Sequence, residues 1–336
     1  MIRRPRRTGG RSGPRPPRAR IPGLTGRRFG VQPKVVALGG GHGLAASLAA
    51  LRRITGDLTA VVTVADDGGS SGRLRRDMGV LPPGDLRKAL AALCGDDEWG
   101  RTWSQVIQYR FTAPGDLQGH AVGNLLIVAL WEQLGDHVAA LDMVGRLLGA
   151  HGRVLPMSAV PLQLEAVVRG HDPAKPDEIS TVRGQAQVAL TPGEVREVRL
   201  LPHDPPAVPQ AVEAVLDADW VVLGPGSWFS SVMPHLLVPE LADALLKTRA
   251  RKVVTLNLAP QPGETEGFSP QRHLEVLAGH APKLCVDVVL ADEEVVPDDR
   301  DGLEQAAKRL HGTVEFAPVA AKEEKAGGAR VPRHDP

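Results

Sequence analysis

From residue 34 onward, short β-branched apolar runs alternate with longer segments whose apolar residues recur at helical spacing. That alternation is the signature of a parallel sheet covered by helices, so the pattern predicts an α/β fold. The runs 34–38 and 58–64 read as the first two strands, with a helix over 44–54 between them. Further helices are expected at 85–93, 100–109, 121–134 and 137–148. From about 153 to 201 the helical period is lost. Short strand-like runs at 162–168, 186–190 and 195–200, broken by Gly and Pro, predict a small antiparallel insertion. The α/β rhythm then resumes with helices at 209–216, 236–247 and 303–310 and strands at 220–223, 253–258 and 286–290.

Composition sets the outer limits of this picture. A chain of 336 residues with 42% apolar residues can build a full core. Two cysteines, Cys94 and Cys285, are too few for a disulfide framework and lack the spacing of a zinc site, which makes a reducing cytosol the simplest home. No apolar run reaches the length of a membrane span, and the basic start lacks the apolar stretch of a secretory signal. The net charge of +1 hides an asymmetry. Residues 1–32 hold ten Arg and no acid, while the remainder carries 30 basic against 39 acidic residues, a net of −9. The first segment has too little apolar surface to offset its ordering entropy and is expected to be a disordered tail, as is 321–336. The Arg-rich tail is read as solvated, with an acidic partner or a membrane surface as the competing role.

Chemistry concentrates where strands end. Gly39, Gly40, Gly41, His42 and Gly43 follow the first strand and open a helix, the place where backbone N–H groups and a helix N-terminus meet phosphate. Gly41, Gly43 and Ala46 also fit a dinucleotide fingerprint, with Asp66 at the end of the second strand. The competing reading is a tight turn without a ligand. After the second strand come Asp66, Asp67, Gly68, Gly69, Ser70, Ser71 and Arg73. The two acids suit a hydrated Mg²⁺ or ribose hydroxyls, the glycines a second anion nest, and Arg73 and Arg75 phosphate charge; capping of a following helix by either serine competes equally. Asp85 is expected to cap the helix after Pro82-Pro83-Gly84. His120 and Asn124, four apart on one helix, share a face. Gly224, Pro225, Gly226 and Ser227 end the strand at 220–223, and a polar loop with Pro262-Gly263-Glu264-Thr265 follows the strand at 253–258. No Walker loop, nucleophile elbow or HExxH helix is present.

Six ordered motifs, Gly39 to Gly43, Val64 to Leu74, Pro82 to Asp85, Gly119-His120 with Gly123 to Leu126, Gly224 to Ser227, and Pro262 to Thr265, resemble the YvcK/CofD family of gluconeogenesis factors and 2-phospho-L-lactate transferases. The likeness spans residues 34–320. It implies a Rossmann-like, mostly parallel sheet with helices on both faces, a nucleotide-diphosphate site along its carboxyl edge, and a cytoplasmic protein that pairs as a homodimer. On this resemblance Gly39 to Gly43, Asp66, Asp67, Asn124 and Gly224 to Ser227 line the site. The long Asp66 motif is similar to the YvcK branch, whose members bind UDP-sugars such as UDP-N-acetylglucosamine and support cell shape and wall synthesis during gluconeogenic growth. The CofD branch implies instead an Mg²⁺-dependent transfer from a guanosine diphosphate conjugate to a deazaflavin alcohol, with Asp66 or Asp67 on the metal and His120 as acid/base group. A nicotinamide-dependent oxidoreductase is a weaker alternative. His42 stands where many relatives carry Thr, and Ala259-Pro260 replaces a more usual Met-Thr.

Overall fold

The computed structural model describes residues 32–261, 264–296, 300–321 and 333–336. Strand β1 (Val35–Gly39) leads through helix α1 (Gly41–Leu51) to β2 (Leu58–Val62). Helices α2 (Gly69–Met78), α3 (Gly84–Ala92), α4 (Glu98–Gln108), α5 (Val122–Leu134) and α6 (His137–Leu148) precede β3 (Arg153–Pro156). A lobe follows, made of β4 (Gln163–Arg169), β5 (Ile179–Arg183), the short helix α7 (Gln185–Ala189) and β6 (Glu194–Leu201). Helix α8 (Pro209–Asp217) returns the chain to β7 (Trp220–Leu223). A π turn (Trp228–Val232) and a 3₁₀ turn (Met233–Leu236) lead to α9 (Pro239–Lys247) and β8 (Arg251–Thr255). The chain continues through α10 (Pro270–His280), β9 (Val288–Asp292), α11 (Arg300–Arg309) and β10 (Thr313–Ala317).

Seven strands form one parallel sheet in the order β10-β9-β8-β7-β1-β2-β3, and β5-β4-β6 form a separate antiparallel sheet. Both were expected from the hydrophobic pattern. Every residue of β1 is buried, as a strand covered on both faces requires. The chain moves from β1 to β2 and β3 in one direction, then crosses back to β7 and proceeds the other way. Right-handed crossovers therefore put α1 to α6 on one face and α8 to α11 on the other. The reversal falls between β1 and β7, which pair directly from Val35–Trp220 to Leu38–Leu223. At such a reversal the two loops leave the sheet in opposite directions and open a crevice.

Several expectations need correction. Arg153–Pro156 belongs to the parallel sheet, pairing with β2, so the antiparallel lobe starts at β4. The run 186–190 is not a strand: Gly184, at φ +94, turns the chain, and the Asp67 carboxylate accepts the Ala186 N–H at the start of α7. Helix α2 escaped the pattern because GSSGRLRRDM has almost no apolar stripe; it is held by Leu74 and by its glycine and serine contacts. Helix α10 opens on Ser269 as N-cap and Pro270 at N1, start signals that apolar period alone does not reveal. Edge strand β10 was missed as well. The Arg-rich segment 1–31 lies outside the described residues, whereas Gln32, read as part of it, accepts the Gly56 N–H. The expected C-terminal tail is not wholly tail, because His334 bridges to Ala320 and Ala321 N–H donates to Arg333. Among the described residues no helix is long and apolar enough to cross a membrane.

His235, fully buried, links the two halves of the sheet by donating from Nε2 to the Val61 carbonyl of β2 at 3.0 Å. Burial holds its pKa down to about 4. The ring is neutral in the folded chain, while the unfolded chain protonates near the ordinary 6.5. Its contribution is thus complete above pH 6.5 and is lost as pH falls toward 4, amounting to about 3 kcal/mol. We expect His235→Gln to flatten the fall in stability between pH 7 and pH 4.5, measured by urea denaturation at each pH. An unchanged slope would remove His235 from the acid response.

Candidate functional site

The two loops at the reversal are built against each other. A side-chain carbon at Gly43 would overlap the Pro225 carbonyl and approach the Gly226 Cα to 2.8 Å, so α1 starts in direct contact with the second loop. Ser47 Oγ donates to the Gly224 carbonyl at 3.2 Å. Asn257, just beyond β8, fixes the loop from the other side: its Oδ1 accepts the Gly226 N–H and its Nδ2 donates to the Gly226 carbonyl, both at 2.9 Å. Sequence reading missed Asn257, although it lies next to a loop already singled out. Gly41 sits at φ +62 with open space where a side chain would stand, leaving a bare backbone surface at the N-terminus of α1. That is the form of an anion-binding turn.

Charges of both signs surround this turn, Lys88, Arg333 and Arg87 against Asp85. Burial lowers the His42 pKa, and Lys88, Arg333 and Arg87 lower it further, so the imidazole is neutral amid cations. A cleft of about 380 Å³ runs from His42 past Ala45 and Lys88 to Ser104 and Gln108. A second cavity, of about 540 Å³ between α6 and β3, lies away from the glycine loops and shares none of their residues.

The acids divide into different roles. Asp66 Oδ1 accepts the Gly68 N–H at 3.0 Å, and burial together with the nearby Asp85 carboxylate pushes its pKa up. Asp67 is turned away to the antiparallel lobe, where it accepts from Ala186 at 3.0 Å. The partner of Asp66 is therefore Asp85, which does not cap α3; Pro83 holds that position, and Asp85 lies in the first turn, buried, paired with Lys88 at 3.0 Å. A side-chain carbon at Gly40 would stand 2.7 Å from Asp85 Oδ2, which places this carboxylate directly behind the glycine turn. Among the described residues no three His, Cys, Asp or Glu side chains are grouped to hold a metal. Two carboxylates match the protein share of an Mg²⁺ whose other ligands are water and phosphate.

The serines also depart from expectation. Gly68 is the N-cap of α2, without a side-chain cap bond, and Ser70 and Ser71 lie inside its first turn. Ser71 Oγ accepts the Gly84 N–H at 3.0 Å, tying α2 to α3. Ser70 Oγ accepts from Asn124 Nδ2 and shares a hydrogen bond with His120 Nδ1, both at 3.0 Å; burial lowers the His120 pKa. His120 and Asn124 do converge, but not as two residues of one helix: α5 begins at Val122, His120 lies before its Ala121 N-cap, and Ser70 is what brings them together. Arg73 donates to the Gln118 carbonyl and Arg75 to the Leu162 carbonyl, so each guanidinium braces a loop. Gly69 opens α2 at φ +48. Pro262 and Gly263 lie outside the described residues; Glu264 is buried and accepts the Ser230 N–H beside the Gly224 loop.

The crevice at the sheet reversal is that of a doubly wound α/β protein, and comparison with known proteins makes the family specific. Residues 35–331 match the family model described as 2-phospho-L-lactate transferase CofD. A Mycobacterium tuberculosis protein named "Putative gluconeogenesis factor" is 56% identical over 304 residues, covering 90% of this chain and 86% of the relative. The gluconeogenesis factor of Listeria monocytogenes is 39% identical over 268 residues, 80% of each chain. A crystal structure of a UPF0052 family member from Bacillus halodurans superposes with a TM-score of 0.78 at 31% identity, covering 90% of this chain and 96% of that one. The chain belongs to the CofD family, within which its similar relatives carry the gluconeogenesis factor name.

The packing at the crevice yields a direct comparison. Gly43→Ala is expected to cost about 1–3 kcal/mol, because the Pro225 backbone has nowhere to go. Gly41→Ala meets no neighbour and should cost only the left-handed backbone, about 1–2 kcal/mol. Urea midpoints of the two variants check the ordering at Gly43, and tolerance of Gly43→Ala would mean that the two loops are not in contact in solution.

Proposed function

We propose that this chain is a cytoplasmic regulator that binds a UDP-sugar of the UDP-N-acetylglucosamine type and couples its supply to cell shape and wall synthesis under gluconeogenic growth. The observation that carries this reading is the meeting of the two glycine loops at the reversal of the sheet, with the cations Lys88 and Arg333 close to His42. A diphosphate fits there: the N-terminus of α1 faces it, and no side chain at Gly41 intervenes. Asp66 and Asp85 lie where ribose hydroxyls or a phosphate-bound Mg²⁺ would be met. The gluconeogenesis factor names of the relatives support the regulatory reading over the others.

A second reading is group transfer from a nucleotide diphosphate conjugate. It is favoured by the family description and by the Asp66–Asp85 pair, with Mg²⁺ supplying charge neutralisation at the phosphates when bound. His120 serves the first reading equally well, since its contact with Ser70 is satisfied within the protein.

Thermal unfolding with UDP-N-acetylglucosamine, UDP-glucose, GDP and NADH, each with and without Mg²⁺, separates these readings. A ligand at 100 times its Kd adds about 2.7 kcal/mol to stability. We expect stabilisation by the UDP-sugars and none by NADH. Stabilisation by GDP with Mg²⁺ alone, abolished in Asp66→Asn, would establish the transferase reading instead.

A further inference from the structure

The strongest unexplained feature is Arg87. It is 4% exposed, and its Nε and Nη1 are buried without any hydrogen-bond acceptor. No carboxylate among the described residues lies within ion-pair distance of it. A buried guanidinium that no acceptor hydrogen-bonds is costly, and proteins rarely carry one without a partner. Its stem runs under the first turn of α5: a side-chain carbon at Gly123 would come to 2.8 Å from Arg87 Cγ. Beside it Asn124, 1% exposed, has an Oδ1 that also lacks a partner, while its Nδ2 is spent on Ser70. The exposed Arg110 adds a second positive charge facing Arg87, and its Nη1 is held by the Gly119 carbonyl. Asp85 and Asp66 act on it from a distance beyond ion-pair contact, and Asp85 is spent on Lys88.

We propose that Arg87, with Arg110 and the first turn of α5, forms a second anion subsite that receives an oxyanion of the bound ligand, carboxylate or phosphate, which the two glycine loops do not hold. The inference rests on the nucleotide-diphosphate reading but takes the ligand beyond UDP-N-acetylglucosamine itself, whose oxyanions all belong to the diphosphate; the subsite is argued from the orphaned guanidinium. An oxyanion satisfies Nε and an Nη together, the two-pronged geometry for which arginine is suited. Asn124 Oδ1 then accepts an N–H or O–H of the same ligand.

The test is calorimetric titration of the full chain and of Arg87→Met, Arg87→Lys and Arg110→Gln with inorganic phosphate, UDP-glucose and UDP-glucuronate, alongside urea denaturation without ligand. UDP-glucose and UDP-glucuronate differ by one carboxylate. If the group received is a carboxylate, the wild type prefers UDP-glucuronate by at least tenfold and Arg87→Met loses that preference. If it is a phosphate, Arg87→Met weakens both sugars and inorganic phosphate alike by at least tenfold. In either case the ligand-free stability of Arg87→Met is unchanged or raised, because an uncompensated charge has been removed. Binding of phosphate through Arg87 without binding of any uridine nucleotide supports the subsite and overturns the nucleotide reading. Arg87→Met with wild-type affinity for all three probes overturns the proposal, as does a steep loss of ligand-free stability with unaltered affinity. Should Arg87→Met fail to fold, Arg87→Lys and Arg110→Gln decide it, each expected to weaken the same probe at least threefold.

Discussion

Everything at the carboxyl edge depends on the close approach of α1 to the loop after β7. The missing side chain at Gly43 lets the helix start against the Pro225 backbone, and the paired amide hydrogen bonds from Asn257 keep that loop from withdrawing. Two helix-facing turns are thereby held at a fixed separation without any charged side chain between them. Such a crevice is preorganised, so a ligand does not spend binding energy assembling it.

Around this fixed centre, the remaining groups are arranged by sign. Lys88, Arg87 and Arg333 raise the potential at the glycine turn, and Asp66 and Asp85 lie behind it. The mixture is not neutralised pairwise: Asp85 meets Lys88, while Arg87 keeps Nε and Nη1 without an acceptor and Asp66 is pushed toward protonation. Unpaired charges of this kind lower stability and are retained where a ligand completes them.

Much of this was legible in the chain. Continuous apolar runs such as Val35–Gly39 identified buried parallel strands, and Gly-rich strand ends identified the edge that carries the site. What escaped notice shares one cause, namely that contacts distant in sequence overrode local preference. Asp85 looks like a cap next to Pro83-Gly84, yet the approach of Gly40 draws it into the site. Asp67 is indistinguishable from Asp66 in a list of letters, and only the arrival of Ala186, 119 residues later, separates their roles. Helix α2 is too polar to announce itself, and Arg333 sits in a stretch whose composition reads as a tail.

The division between Asp66 and Asp67 has a mechanical side. One carboxylate holds its own loop at the Gly68 N–H, and its immediate neighbour is bonded to the backbone at the start of α7, so two adjacent residues tie the glycine-serine loop to the antiparallel lobe. Ile179 and Leu190, both strongly exposed, sit on that lobe. The loop that carries Asp66 therefore cannot shift without straining the bond that anchors α7, and the lobe bearing Ile179 and Leu190 shares the restraint of that loop.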